Sequence, residues 1–222
     1  MQNPTHAERL YRQSQEAILE LVTEENKLLP VPATPGWDLR DVVAHLTGAL
    51  IDLITGNTRH APSPAWTAGH VERFSQRDLF EIAFLWRDAI QWESAELFER
   101  LGVRFLPDIV THEFDVRGAL GNTEDRDEER VHVAFAGLAA FVDRAWRESG
   151  IPAVELVTGQ DRIVIGDGDP RATARGTAFE LSRVLTGRRS PAQVRALDWS
   201  ADPSPWLEHL SALGGRDDDL VE

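Results

Sequence analysis

An α+β fold is predicted for this chain: an antiparallel helical bundle over residues 1–150, a small α+β domain over 151–213 and an acidic, disordered tail over 214–222. Two observations carry that expectation. Up to Gly150 apolar residues recur at helical spacing between recognisable caps, and from Ile151 short β-branched runs replace them before helical spacing returns. Composition agrees: 42% apolar and 27% charged residues is a globular balance, and 222 residues build a core without disulfides, which a chain with no Cys cannot form.

The first helix opens on a capping box, Thr5 with Glu8, and runs on Leu10, Ala17, Leu21 and Leu28. After the turn from Pro30 to Gly36 a second helix starts with Asp38 as N-cap and carries Leu39, Val42, Val43, Leu46, Leu50 and Leu53 before Gly56. Pro62 and Pro64 mark a loop. A long third helix is expected over about 71–101, with Leu79, Ala83, Trp86, Ile90 and Leu97 in register, ending at Gly102. Residues 105–120 repeat the pattern as Phe105, Ile109, His112, Val116 and Leu120. A charged turn then leads to a last bundle helix on Val131, Phe135, Leu138, Val142 and Ala145. Helices of this length with short connections suit an antiparallel bundle.

Beyond Ile151, AVELVTG and RIVIGDG flank Gly159, Gln160 and Asp161 and read as a hairpin, with ATARGT as a third strand. GDGDP at 166–170 reads as a turn, because it lacks the ligand spacing and terminal Glu of a calcium loop. A helix from Ala178 to Thr186 follows. Ser190-Pro191, with Gln193 as box partner, starts a short helix, and Ser204-Pro205 starts another. Like charges after a Gly pair predict disorder in the tail GGRDDDLVE.

A formal charge of −14 leaves no basic surface for tracking a polyanion, so nucleic acid is not an expected partner. Nor is a membrane, since no apolar run approaches a span. The first residues lack signal-peptide order, and a cytoplasmic location is expected. Without Cys, a metal could be held only by His, Asp or Glu.

Asp108 and His112 stand four residues apart, which puts both side chains on one helix face where they could share a cation. The same spacing suits a hydrogen-bonded core histidine with Asp108 as a first-turn acid after Pro107. His112 falls in the apolar stripe between Ile109 and Val116, where a polar ring needs a partner. Asp115 is placed to orient a ligand or to cap locally. His45 lies at the edge of the second stripe, with Gly48 and Ala49 leaving space on its flank. Glu93, in the third stripe, could be a fourth ligand, an orienting group or a boundary residue. Trp37 reads as packing at a helix entrance. His6, His60, His70, His132 and His209 show no partner spacing.

Three segments resemble one family. TPGWDLRDVVAHLTGAL is similar to the first motif of the mycothiol-dependent maleylpyruvate isomerase family, DIVTHEFDVRGALG to the second, and FELSRVLTGRRSPAQVRALDWSADPSPWL to the end of its small C-terminal domain. The resemblance spans nearly the whole chain, with the motifs in order. It implies a DinB-like four-helix bundle as the N-terminal domain and a divalent metal, typically zinc, held by His45, Asp108 and His112. The acid is Asp where the resemblance leads one to expect Glu, an arm one methylene shorter.

Three protein ligands with an open position make a catalytic rather than a structural site. The resemblance further implies that mycothiol supplies its thiol there, since coordination to a divalent cation favours the thiolate. Addition of that thiolate to the cis double bond of maleylpyruvate, rotation and elimination would isomerise it; transfer of the thiol to another electrophile shares the first step. An anionic substrate or the carboxylate of mycothiol needs a cationic anchor, and the resemblance points to Arg188, with Arg183 and Arg189 as further cofactor-binding candidates. Solvated helix-end arginines would give the same pattern. A non-enzymatic metal-binding or regulatory module that keeps the bundle is the alternative function.

Overall fold

A computed structural model describes residues 5–92, 95–211 and 214–222. The chain is mixed α+β and divides into two compact units, 1–122 and 123–222.

The first unit is all helical. It comprises α1 (His6–Leu21), α2 (Leu39–Thr55), α3 (Pro64–Arg73), α4 (Leu79–Trp92), α5 (Ala95–Leu101), a 3-10 turn (Gly102–Phe105) and α6 (Leu106–Ala119). Thr5 caps α1 by accepting from the Glu8 amide, while the Glu8 carboxylate turns to Arg12 rather than closing the box. At α2 the box does close: Asp38 and Asp41 each accept the other's backbone N–H. α1 packs along α6, and α2 packs against α3, α4 and α6. The core between them holds Leu10, Ile18, Val42, Leu46, Leu50, Ile82, Trp86, Ile109 and Val116, all buried. Tyr11 of α1 sits among Phe98, Phe105 and Trp86, whose Nε1–H donates to the Tyr11 hydroxyl at 3.1 Å. α6 is buried on several faces at once. Its buried Glu113 and Arg117 meet one turn apart at 2.9 Å, which satisfies the charges that this burial would otherwise strand.

Two expectations for this region are corrected. Leu28 does not extend the α1 stripe: the helix ends at Leu21, and Leu28 lies in the following turn, 70% exposed. The single helix expected over 71–101 is instead the end of α3, then α4 and α5. α3 starts inside the expected loop, because Ser63 accepts from the Trp66 amide and Pro64 occupies the first helical turn. The break follows from capping: the Arg40 guanidinium donates to the carbonyls of Phe74 and Arg77, and Asp78 and Glu81 cap α4 reciprocally.

The second unit begins with α7 (Glu129–Ser149) and continues with β1 (Pro152–Val157), β2 (Arg162–Ile165), β3 (Asp167–Arg175), α8 (Ala178–Leu185), α9 (Pro191–Arg195) and β4 (Asp198–Trp199). The sheet order is β2-β1-β3-β4. The expected hairpin forms, with Val154 opposite Ile165 and Val157 opposite Arg162. β3 then pairs parallel to β1 on its other edge. It reaches that edge through Gly166, at φ +94°, where a Cβ would stand 2.9 Å from the Ala153 Cα. GDGDP is therefore the start of β3 rather than a turn. α7 packs on α8 and β2, so the division falls at Asn122/Thr123 and not at Gly150, the boundary drawn from the change of period.

Ser190 and Gln193 form the expected capping box at α9. Residues 204–209 form turns rather than a helix. The tail is also corrected. Leu220 is buried and exchanges hydrogen bonds with Gln193, Asp219 accepts from the Ser190 hydroxyl, and the Glu222 carboxylate accepts from Arg183 and Arg189. Paired with these groups, the acidic run has partners inside its own unit.

Candidate metal centre

The capping box at Asp38 starts α2 so that His45 falls on the second turn, and Pro107 in the first turn of α6 places Asp108 and His112 one turn apart. α2 and α6 pack together, and their facing side chains meet. His45 Nε2 lies 3.6 Å from Asp108 Oδ2, and His112 Nε2 lies 3.7 Å from Asp108 Oδ1. One ligand atom from each of the three lies within 4.8 Å of the others. Separations of 3.6 and 3.7 Å are too long for hydrogen bonds. They are close to the roughly 3.3 Å between donors in a tetrahedron with bonds of about 2.0 Å. The donor set thus fits a small divalent cation: the nitrogens and the carboxylate converge without bonding to one another.

The environment of His112 favours a neutral imidazole as ligand. His45 and His112 are buried, and burial holds the His112 pKa below the ordinary value although Asp115 and Asp108 both pull it up. Asp115, fully buried, has Oδ2 2.9 Å from His112 Nδ1, on the side of the ring away from Asp108, although the contact is not a well-aligned hydrogen bond. The ring thus presents Nδ1 to Asp115 and Nε2 to the cluster. Trp37 stacks on His112 at 5.8 Å between centroids and lies 5.2 Å from His45, so it walls the site. Asp108 is the solvent-facing member, its side chain 49% exposed.

The fold is shared with the mycothiol-dependent maleylpyruvate isomerase. That crystal structure superposes with a TM-score of 0.55 at 15% identity, over 87% of this chain and 91% of the other. A histidine-to-alanine variant of the isomerase superposes at 0.54 with the same coverage. At this identity the likeness is one of fold. No protein-family model matches the chain, and no curated protein does.

Of the six residues singled out from the sequence, His45, Asp108 and His112 come together in the first unit. The three arginines lie in the second. Arg183 and Arg189 are buried and grip Glu222, and Arg189 also takes both oxygens of Glu180. Arg188 is half-buried and donates to the Thr186 carbonyl at 2.7 Å. Glu93 lies outside the described residues.

Two further groups escaped the sequence reading. His70 of α3, with no partner spacing in the sequence, is fully buried, with Nδ1 3.1 Å from His45 Nδ1 and Nε2 3.1 Å from Asp52 Oδ2. Asp52 is buried on α2 and also holds Arg73 at 2.8 Å and Asn57 at 3.0 Å. Burial raises its pKa, but the donors Arg73, His70 and Asn57 outweigh that and hold it below the ordinary carboxylate value. The signal that could have found His70 is Ser63-Pro64, the same start signal that marks α9. A helix from there carries His70 toward α2 at Gly48, where the sequence leaves room.

Proposed function

We propose that this protein is a metal-dependent, mycothiol-using isomerase or thiol transferase that acts on a small electrophile of the maleylpyruvate type. The observation that carries the reading is the convergence of His45, Asp108 and His112 on one point of a bundle whose fold is shared with a mycothiol-dependent isomerase. A divalent cation such as zinc, held by these three residues, would supply acidity to a coordinated thiol and so make thiolate available at neutral pH.

The chain's own residues prepare that chemistry. Two neutral imidazoles and one carboxylate contribute a single negative charge, which leaves a divalent site attractive to one further anion. Buried His45 and His112, walled by Trp37, exclude water from the inner side, while exposed Asp108 leaves the outer side to solvent and ligand. Arg188 is our choice as anchor for a substrate or mycothiol carboxylate, because a planar guanidinium meets a carboxylate at two points. Arg183 and Arg189 support it as further cofactor-binding candidates, Arg183 on release of Glu222 and Arg189 on release of both Glu222 and Glu180.

The deciding experiment is the metal content of protein purified without added metal or chelator, beside His45→Ala and His112→Ala. About one zinc per wild-type chain, lost in both variants with little change in unfolding temperature, is expected. Zinc retained in both variants would sink the ligand set. No zinc in the wild type even when it is offered would reduce the likeness to fold, and a non-enzymatic binding module would replace the enzyme. Arg188→Ala should then lower kcat/KM by roughly 10- to 100-fold with zinc content unchanged, the worth of one charged hydrogen-bonding group.

A further inference from the structure

Behind His45, on the side away from Asp108 and His112, stands a buried line of three polar groups. Asp52 Oδ2 lies 3.1 Å from His70 Nε2, and His70 Nδ1 lies 3.1 Å from His45 Nδ1. Both imidazoles and the carboxylate are buried, so no bulk water takes the place of any member. A hydrogen bond between two imidazole Nδ1 atoms needs one N–H and one lone pair; two of either kind at 3.1 Å repel.

The far end settles which is which. Asp52 is surrounded by donors, the Arg73 guanidinium at 2.8 Å and the Asn57 amide at 3.0 Å, and acts as an acceptor toward His70. His70 Nε2 therefore carries a proton. Burial disfavours a doubly protonated ring, which leaves His70 Nδ1 with the lone pair. His45 Nδ1 must then donate, and the proton of His45 is used on this side. Its Nε2 is left with a lone pair, and Nε2 is the atom 3.6 Å from Asp108.

We propose that Asp52 and His70 are positioning residues that fix His45 as its Nδ1–H tautomer and aim the Nε2 lone pair at Asp108 and His112. The inference rests on the metal reading of that cluster, but the hydrogen-bonded order itself exists without any metal. His112 has a buried carboxylate, Asp115, directly beside its Nδ1 at 2.9 Å; His45 reaches its carboxylate, Asp52, through an intervening ring. In the first case the carboxylate is three residues away on the same helix, and in the second the neutral His70 bridges α2 to α3. Outer partners of ligating histidines commonly fix the tautomer and raise ligand basicity. Here they also spread the site onto a third helix.

The test pairs two readouts on the full chain. Imidazole 15N shifts of metal-free protein report the tautomer of His45, and competition with a chromogenic chelator reports the affinity for Zn2+. In the wild type His45 is expected as Nδ1–H. His70→Leu fills the space without an acceptor; it should mix the His45 tautomers and weaken Zn2+ binding by about 10- to 100-fold. His70→Asn returns a carbonyl oxygen near the Nδ1 position and should restore most of both, whereas a purely space-filling role would make Leu the better substitute.

If His70→Leu does not fold, Asp52→Leu, which removes the acceptor facing His70 Nε2, takes its place with the same expected direction. A wild-type His45 in the Nε2–H form, or a tautomer and Zn2+ affinity unmoved by these changes, overturns the proposal. A wild type that shows the His70-dependent tautomer but binds no Zn2+ upholds the hydrogen-bonded order and overturns the metal reading instead.

Discussion

The acid at position 108 carries the only formal negative charge in the His45–Asp108–His112 set, and its side chain reaches both imidazoles at 3.6 and 3.7 Å despite being one methylene shorter than glutamate. Asp108→Asn keeps the shape and removes the charge. It should weaken Zn2+ binding by at least the roughly 10- to 100-fold that loss of an outer partner costs, with the unfolding temperature nearly unchanged because the side chain is half-exposed. Chelator competition and a thermal melt check this together. Away from the site, His132 stands between Asp127 at 3.0 Å and Asp161 at 3.2 Å. Burial lowers its pKa, but the hydrogen bonds to the two carboxylates outweigh that and raise it. A folded-state value above the unfolded one gives stability that is complete below about pH 6.5 and is lost as pH rises through the folded value. His132→Ala should therefore cost up to about 1 kcal/mol at pH 5.5 and much less at pH 9, by chemical denaturation at both.

At the scale of elements, the close approach of α3 to α2 is what brings His70 into line. It depends on Gly48: a Cβ there would stand 2.6 Å from the His70 Cγ. The ring is buried and bonded at both ends, so it cannot swing aside cheaply. Gly48→Ala is expected to cost about 1–3 kcal/mol in urea unfolding, as overpacking does, even though alanine favours a helix. A stabilised variant would show that α3 moves freely over α2. The helices with strong start signals, α2, α6 and α9, could be read from the sequence because Asp38, Pro107 and Ser190-Pro191 act locally. The division of 71–101 could not be read from its apolar register, which runs on through Leu79, Ile90 and Leu97. Asp78 and Glu81 mark the start of α4, but only the reach of Arg40 from α2 shows why the chain stops at Phe74.

At the scale of the whole molecule, every residue of the candidate centre and of the line behind it, from Trp37 to Asp115, belongs to the unit 1–122. A polypeptide of residues 1–122 should therefore bind Zn2+ with wild-type stoichiometry, and 123–222 should bind none. Metal analysis of the two after gel filtration decides it, and binding that needs the full chain would refute the self-sufficiency of the first unit. Among the described residues no helix is long and apolar enough to cross a membrane.

Local chemistry in the sequence was enough for the α+β class, several N-caps, the hairpin and the pairing of Asp108 with His112; His45 joined that pair only through the family resemblance. Caps, a two-residue period and an i, i+4 pair all act over a few residues. Long-range packing was needed for the rest. α7 joins the second unit through α8 and β2, the acidic tail is held by Arg183 and Arg189, and His70 meets His45 across 25 residues of chain. These contacts follow from where a side chain finds a buried partner, and no local pattern encodes a partner that the fold alone brings near.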